Sequence, residues 1–203
     1  MKIAELTGAD FDVKEKGTAM LAIGSVERHG DHLPLGTDGI IPEHILDRVA
    51  AQMNLLVLPT IWYGSCKAMR GFPGTFDVDA DALSKFVRAV MYEANRNAVK
   101  LLVVINGHGG NSVPVAMAAR EVAGKTDLSI IVLDWWKELG TDVLDKFTAP
   151  GHAGEDETSA MLAINQASVD MGRAKMHAAI YPEFRFYSKA FDLKTYGIAL
   201  TGD

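Results

Sequence analysis

The sequence contains a single cysteine, Cys66, so no disulfide can form within the chain. A chain of 203 residues that is 48% hydrophobic can instead stabilise itself by burying a core. Residues 1–6 contain no long apolar run of the kind that opens a secretory signal. We therefore expect a reduced, cytoplasmic setting. Because no linker, repeat or low-complexity segment interrupts the sequence, we predict one domain over residues 1–203.

Several signatures of other protein classes are also missing. No apolar run reaches the length of a membrane span, and a net charge of −6 without a basic stripe disfavours nucleic acid. The sequence lacks GxGxxG after its first apolar run, and it lacks HExxH and GxSxG altogether. Gly124-Lys125-Thr126 resembles the end of a phosphate-binding loop, but Ala119 stands where that loop needs a glycine. Cys66 has no activating neighbours in the sequence, which favours a buried apolar role over a nucleophilic one.

Four short apolar runs alternate with segments of helical spacing. This alternation predicts a three-layer α/β/α fold with a mostly parallel central sheet, whose ligand site lies at the carboxyl ends of the strands. The predicted strands are residues 19–23, 55–61, 101–105 and 130–133, and the predicted helices are residues 41–52, 80–97, 113–123 and about 156–165.

A polar cluster follows the first predicted strand. Glu27 and His29 are two residues apart, so extended backbone directs both side chains to the same side. Asp38 lies far enough along for the intervening loop to fold back and bring in a third ligand. Carboxylate and imidazole ligands suit Zn²⁺, Mn²⁺ or Fe²⁺, and a carboxylate with two oxygens can bridge two ions. We therefore predict two divalent metal ions here, with His32 as a hydrogen-bonding neighbour of the ligands.

Two further clusters are expected at the same edge of the sheet. His108 lies among three glycines after the third strand, where backbone can approach a ligand closely. His152 precedes a predicted helix, in a place to give a proton to a leaving amine. Glu157 falls in the first turn of that helix, so it is either a metal ligand with a catalytic role or an acid that only complements the helix dipole. Trp135 and Trp136 follow the fourth strand, where one is expected to stack on substrate and the other to belong to the core.

These segments resemble the creatininase (creatinine amidohydrolase) family over most of the chain and in the right order. The resemblance implies an α/β fold with a two-metal site, often assembled as a hexamer, that hydrolyses amide-type C–N bonds in small molecules. The segments are Gly24-Ser25-Val26-Glu27-Arg28-His29-Gly30, His32-Leu33-Pro34-Leu35-Gly36-Thr37-Asp38, Phe72-Pro73-Gly74-Thr75, residues 106–111, Asp134-Trp135-Trp136, His152-Ala153-Gly154 and Glu157-Thr158-Ser159.

By this resemblance, Glu27, His29, Asp38 and His108 match metal ligands, with Asp38 as the bridge, and His152 matches a catalytic histidine. A metal-bridging hydroxide is then expected to attack an amide carbonyl, with backbone donors near Gly109 and Gly110 stabilising the oxyanion.

The chain departs from creatininase itself at two places. Creatininase has a glutamate ligand two residues after the histidine that matches His108, and this chain has Gly110, so Glu157 is a candidate to supply the missing carboxylate. Relatives often have a Glu-His pair where this chain has Ala68-Met69, flanked by Lys67 and Arg70. Those two cations are either solvated loop charges or part of a site for an anionic substrate.

Three alternatives to a creatinine amidohydrolase-like activity remain at this point. The first is a deformylase of archaeal riboflavin and F420-type biosynthesis that cleaves a phosphorylated formylaminopyrimidine. The second is a non-catalytic metal-binding or ligand-binding paralogue, and the third is a metal-dependent phosphatase or nuclease. The aromatic and charged segment 181–194 is expected to cover the pocket or to pack on a neighbouring subunit of a homo-oligomer.

Overall fold

A computed structural model describes residues 1–53 and 55–175 of the chain. The expectation for segment 181–194 therefore lies outside the described residues. Four strands form one sheet in the order β2-β1-β3-β4, and every neighbouring pair is parallel, which confirms the predicted α/β class. The strands are β1 (Thr18–Ile23), β2 (Leu56–Val57), β3 (Leu101–Asn106) and β4 (Ser129–Asp134).

The second strand is much shorter than the predicted run of residues 55–61. Regular pairing ends after Val57, because Pro59 has no N–H to donate to a ladder. The chain nevertheless stays beside β1, since the Leu58 N–H donates to the Met20 carbonyl at 2.8 Å and the Ile61 N–H donates to the Ala22 carbonyl at 3.0 Å. The predicted parallel orientation of this strand was right, and only its predicted length was wrong.

The four longer helices agree with the predicted segments except at the start of one, whereas three short helices of four to six residues were not predicted. Helix α2 begins at Thr37, four residues before the predicted start at residue 41, so Asp38 lies in a first helical turn and not in a loop. No helix of the described residues is long and apolar enough to cross a bilayer. The helices are α1 (Gly8–Val13), α2 (Thr37–Met53), α3 (Ala80–Arg96), α4 (Ser112–Ala123), α5 (Trp135–Glu138), α6 (Thr141–Leu144) and α7 (Glu155–Asn165).

Helices cover both faces of the sheet. Successive residues of β1 point to opposite faces, so one set of side chains packs against helices on each side. Leu21 and Ile23 pack with side chains of α3 and α4, including the fully buried Val87. Met20 and Ala22 pack on the other face with side chains of α2 and α7. Burial on both faces explains why the strands are continuous apolar runs and do not alternate with polar residues.

The carboxyl edge of the sheet receives the start of α2 through a close backbone contact. Pro42 has no N–H, so the Asp38 carbonyl has no donor one helical turn later. Gly107, which follows β3, packs against that carbonyl, and a Cβ at this glycine would overlap its oxygen. The absence of a side chain at Gly107 thus brings the first turn of α2 against the end of β3.

Candidate metal centre

The side chains predicted to bind metal meet at the carboxyl edge of the sheet. Glu27 and His29 follow β1, Asp38 comes from the first turn of α2, and His108 follows β3. Glu157, from the first turn of α7, joins them. All five are buried or nearly so, and Glu27 and His29 are 0% exposed. Burying this many ionisable groups together is costly unless their opposite charges, or a bound ion, offset the loss of hydration.

Asp38 lies at the centre of this cluster. Its Oδ1 is 2.9 Å from Nε2 of His29, and its Oδ2 is 3.0 Å from Nδ1 of His108. Two groups of potential ligand atoms, each within 4.8 Å of one another, share this carboxylate: Asp38 with Glu27 and His108, and Asp38 with His29 and Glu157. A third such group joins Glu27 and His29 with His152.

Three imidazoles are oriented by main-chain carbonyls. A carbonyl oxygen only accepts hydrogen bonds, so the ring nitrogen facing it donates, and the other ring nitrogen of a neutral imidazole presents a lone pair to the cluster. The three pairs are His29 Nδ1 with the Glu27 carbonyl at 3.1 Å, His108 Nε2 with the Ser65 carbonyl at 3.0 Å, and His152 Nε2 with the Arg28 carbonyl at 2.7 Å.

The charges of the cluster perturb its histidines in opposite directions. Burial alone would lower the pKa of His29, but the carboxylates of Asp38 and Glu157 raise it to about 10. Burial acts in the same way on His108, and Asp38 again prevails and raises the pKa of His108 to about 9. In His152, burial and the neighbouring positive charge of His29 lower the pKa to about 3, so this imidazole is neutral at pH 7.

The carboxylates respond to the same surroundings. Burial raises the pKa of Glu27 to about 7 and that of Glu157 to about 8, against the opposing charges of the histidines. Asp38 is different, because the positive charges of His29 and His108 and the hydrogen bond from His29 overcome the effect of burial and hold its pKa below the ordinary value. Asp38 is therefore the fixed negative charge of the centre.

Two carboxylate oxygens have unused acceptor capacity. Glu27 Oε1 and Asp38 Oδ2 are buried, and neither has a hydrogen-bond partner within the described part of the chain. When His108 is neutral and donates to Ser65, its Nδ1 lone pair faces Asp38 Oδ2 across 3.0 Å. Two lone pairs at this distance need a proton or a metal ion between them. Imidazole nitrogens and carboxylate oxygens are the donors that zinc and similar divalent ions take, so the residues fit such ions.

A cavity of about 240 Å³ opens onto this cluster. Its walls include Gly109 and Trp136, two of the predicted substrate-binding residues, together with His152. Further lining residues that sequence reasoning did not assign to a site are Ala68, Met69, Gly107, Gly151 and Asp156. Asp156 also holds the turn before α7, because its Oδ1 accepts from the Gly151 N–H at 2.8 Å.

Other predicted substrate-binding residues lie elsewhere. Trp135 is buried in the core beside α2 and α7, which leaves Trp136 as the tryptophan at the cavity. Lys67 and Arg70 are exposed and flank the wall residues Ala68 and Met69 without lining the cavity themselves. Arg70 lies 3.8 Å from Asp77. These positions favour solvated loop charges over an anion-binding site.

Gly110 is constrained by His108 and not by the cavity. A Cβ at this position would overlap the Ser65 carbonyl and lie 2.6 Å from His108 Nε2. Glu157, the candidate for the missing carboxylate, lies with His29 and Asp38, and its Oε2 is 3.6 Å from His29 Nε2. Its Oε2 accepts from the Ala153 N–H at 2.6 Å, which fixes the carboxylate in the first turn of α7.

The residues around the ligands include His32, which bonds to Thr158 and not to a ligand, and Ser65, whose carbonyl contacts His108. His32, predicted as a hydrogen-bonding neighbour, is 5% exposed and pairs through Nε2 with Thr158 Oγ1 at 2.9 Å. Ser65 was missed, because its main-chain carbonyl makes the contact with His108 and a carbonyl leaves no signature in the sequence.

The parallel sheet and the buried carboxylate–imidazole cluster at its carboxyl edge define an α/β protein with a candidate metal centre. The chain belongs to the creatininase family: the family model described as creatinine amidohydrolase matches residues 4–202. The expected family is thus confirmed by a comparison that is independent of the geometry.

Individual relatives agree with this membership. Creatinine amidohydrolase from Pseudomonas putida is 30% identical, over 90% of this chain and 79% of that protein. A mycofactocin precursor peptide peptidase from Mycobacterium ulcerans is 30% identical, over 82% of this chain and 68% of that protein. A 2-amino-5-formylamino-6-ribosylaminopyrimidin-4(3H)-one 5'-monophosphate deformylase from Methanobrevibacter smithii is 25% identical, and this chain spans 63% of its length. All three relatives are named for hydrolytic reactions.

Solved structures give the same result for the fold. A crystal structure of creatinine amidohydrolase superimposes with a TM-score of 0.81 at 30% identity, covering 92% of this chain and 81% of that one. Matching creatininase structures include a manganese form and a zinc–zinc form of a variant.

Proposed function

We propose that this protein hydrolyses amide C–N bonds of small molecules with two divalent ions, Zn²⁺, Mn²⁺ or Fe²⁺, which Asp38 and the ligands around it would hold. The observation that carries the proposal is the position of Asp38, whose two oxygens face two different histidines at 2.9 and 3.0 Å. One ion would be held by Asp38 with Glu27 and His108, and the other by Asp38 with His29 and Glu157.

Ligand atoms of the centre that have no hydrogen-bond partner among the described residues support this assignment. Glu27 Oε1 and Asp38 Oδ2 are buried acceptors without a hydrogen-bond partner among the described residues, and the far nitrogens of His29 and His108 are already engaged by main-chain carbonyls. Such outer hydrogen bonds fix the tautomer and the ring orientation of histidine ligands. When bound, two divalent ions would supply a nucleophile from water at neutral pH and polarise a carbonyl oxygen.

His152 is assigned to proton transfer. Its ring lines the cavity, and its Nε2–H is donated to the Arg28 carbonyl, so Nδ1 is free to accept. The ring is neutral at pH 7, so His152 would accept a proton from the attacking water at Nδ1 and then donate it to the leaving nitrogen. The hydrogen bond to the Arg28 carbonyl holds the ring in place while the proton is transferred.

The cavity favours a small, uncharged substrate. Its volume is about 240 Å³, and Trp136 and Gly109 are among the residues that line it. A flat amide or cyclic amide can stack on the tryptophan while backbone N–H groups near Gly109 stabilise the developing oxyanion. Neither Lys67 nor Arg70 lines the cavity, which weighs against a phosphorylated formylaminopyrimidine. The single-domain organisation, the homo-oligomer and the cytoplasmic location stay predictions.

The experiment that tests this function has two parts on the same preparation. Elemental analysis of protein purified without chelator should give close to two transition-metal ions per chain. The same protein should then hydrolyse creatinine or a simple formamide, with release of the amine or carboxylate followed directly. Metal without turnover on any amide would favour a non-catalytic binding protein, and release of inorganic phosphate from phosphate esters would favour a phosphatase.

A further inference from the structure

The last residues of β3 and β4 form a buried polar pair behind the metal centre. Asn106 and Asp134 are register partners in the parallel ladder, 0% and 8% exposed. The Asn106 side-chain amide donates through Nδ2 to Asp134 Oδ1 at 2.7 Å. Buried polar side chains at the end of a ladder are costly unless they are fully hydrogen-bonded, so this pair needs a reason to be there.

Asn106 holds the backbone of His108 from both sides. Its Oδ1 accepts from the His108 N–H at 3.1 Å, and its Nδ2 donates to the His108 carbonyl at 2.8 Å. The two ends of an amide are chemically different, and only the NH₂ end can face a carboxylate. Asp134 therefore decides which way the Asn106 amide points, and the amide in turn fixes the backbone that carries the His108 ring.

Asp134 is itself held firmly. Its Oδ2 accepts from Ser112 Oγ at 2.8 Å and from Lys137 Nζ at 2.6 Å. Burial alone would raise the pKa of Asp134, but the hydrogen bonds from Lys137, Asn106 and Ser112 lower it, so the carboxylate stays charged at pH 7. Ser112 begins α4, so the same carboxylate also ties the turn after His108 to the end of β4.

This network touches the ligand but not the reaction space. The cavity walls include Gly107, His108 and Gly109, whereas Asn106 and Asp134 do not belong to the described lining. The hydrogen bonds of Asn106 connect Asp134 to the backbone of His108.

We infer that Asp134 is the positioning residue of the His108 ligand, acting through the side-chain amide of Asn106. The inference rests on the proposed two-metal function and adds to it a specific dependence: the ion held by Glu27, Asp38 and His108 depends on Asp134, and the ion held by Asp38, His29 and Glu157 does not.

The test compares stepwise Zn²⁺ and Mn²⁺ dissociation constants of Asp134→Ala with those of the wild type, by competition with a chromophoric chelator. Loss of an outer hydrogen-bond partner typically weakens metal binding 10- to 100-fold. We expect this weakening for only one of the two ions, namely the ion whose binding His108→Ala abolishes. Asp134→Asn keeps an acceptor for Asn106 and should fall between wild type and alanine. Asn106→Asp, which sets two carboxylates against each other, should reproduce the loss.

Val122→Ala is the matched control for general destabilisation, since Val122 is fully buried in α4 and lies outside the cavity lining. It should lower the unfolding temperature and leave both dissociation constants unchanged. If Asp134→Ala left both dissociation constants unchanged, or weakened the binding of both ions equally, the positioning role would be overturned while the two-metal function stands.

A second readout does not depend on metal. The His108 backbone N–H, bonded to Asn106, should be protected from hydrogen exchange in the metal-free wild type and should exchange at least tenfold faster in Asp134→Ala. If the wild type takes up neither Zn²⁺ nor Mn²⁺, the proposed function fails, and amide exchange alone decides whether Asp134 holds His108. Equal protection in both proteins would then refute the inference.

Discussion

Gly110 and Ser65 approach so closely that a Cβ on the glycine would overlap the serine carbonyl oxygen. That carbonyl is the one that accepts from His108 Nε2 at 3.0 Å. The glycine thus protects the hydrogen bond that turns His108 Nδ1 toward Asp38. A position that looked like the loss of a ligand relative to creatininase has a positive structural role in this chain.

Gly110→Ala should therefore be disruptive, although alanine is only one methyl group larger. Overpacking at a tight site costs about 1–3 kcal/mol, and displacement of Ser65 would also release the His108 ring. We expect a lower unfolding temperature and weaker Zn²⁺ binding. Gly109→Ala is the matched control for stability, because the nearest heavy atom to its Cβ, in Trp136, is 4.0 Å away. Thermal unfolding of both metal-free variants checks this, and equal unfolding temperatures would contradict it.

Ligand substitutions should separate the two ions. His108→Ala is expected to lose one ion per chain and His29→Ala the other, while Asp38→Asn loses both because its carboxylate belongs to both ligand groups. His29→Ala should lose activity together with its ion. Elemental analysis of the three variants, purified side by side, measures this. Retention of two ions by Asp38→Asn would show that the carboxylate does not bridge.

Metal binding should release protons and strengthen as pH rises. In the metal-free protein the pKa of His29 is about 10 and that of Glu157 about 8, so both groups hold protons at pH 7 that a bound ion must displace. Raising the pH from 6 to 8 removes part of this competition, and the apparent dissociation constant for Zn²⁺ should fall. Calorimetry in buffers of different ionisation enthalpy counts the released protons. A pH-independent constant would mean that the groups are already deprotonated.

His152→Gln should separate proton transfer from metal binding. Loss of a general acid–base residue lowers rate constants by about 10²–10⁴, and KM and metal content should change little. Because the pKa of His152 is lowered to about 3, its neutral form persists as pH falls through 6, and activity should not be lost there through its protonation. A variant that loses an ion instead of turnover would place His152 among the ligands, as its grouping with Glu27 and His29 allows.

Arg70→Ala and Lys67→Ala should have little effect on hydrolysis of an uncharged amide. Both side chains are exposed and lie outside the described cavity lining. If the physiological substrate is instead phosphorylated, KM for that substrate should rise severalfold in either variant, with kcat nearly unchanged. Steady-state kinetics on a neutral and a phosphorylated formamide distinguishes the two cases.

The sequence by itself determined the parallel sheet, the longer helices and the chemistry of the ligands. Apolar runs bounded by turn residues predicted a parallel sheet, because strands buried on both faces have no polar alternation. The carboxyl ends of parallel strands share an edge, which predicted that Glu27, His29 and His108 would meet. The pattern of apolar residues showed neither the break at Pro59, which lacks an N–H for the ladder, nor the early start of α2 at Thr37.

Only the tertiary structure decided how the ligands divide around Asp38. The side on which Glu157 lies, the tryptophan that reaches the cavity and the carbonyls that orient each histidine all depend on packing between segments far apart in the chain. Ser65 and His108 are 43 residues apart, and no local pattern could join a main-chain carbonyl to a ring nitrogen. Residue types fix which groups can bind a metal ion, but the close approach of backbones, at Gly107 and Gly110, fixes where those groups point.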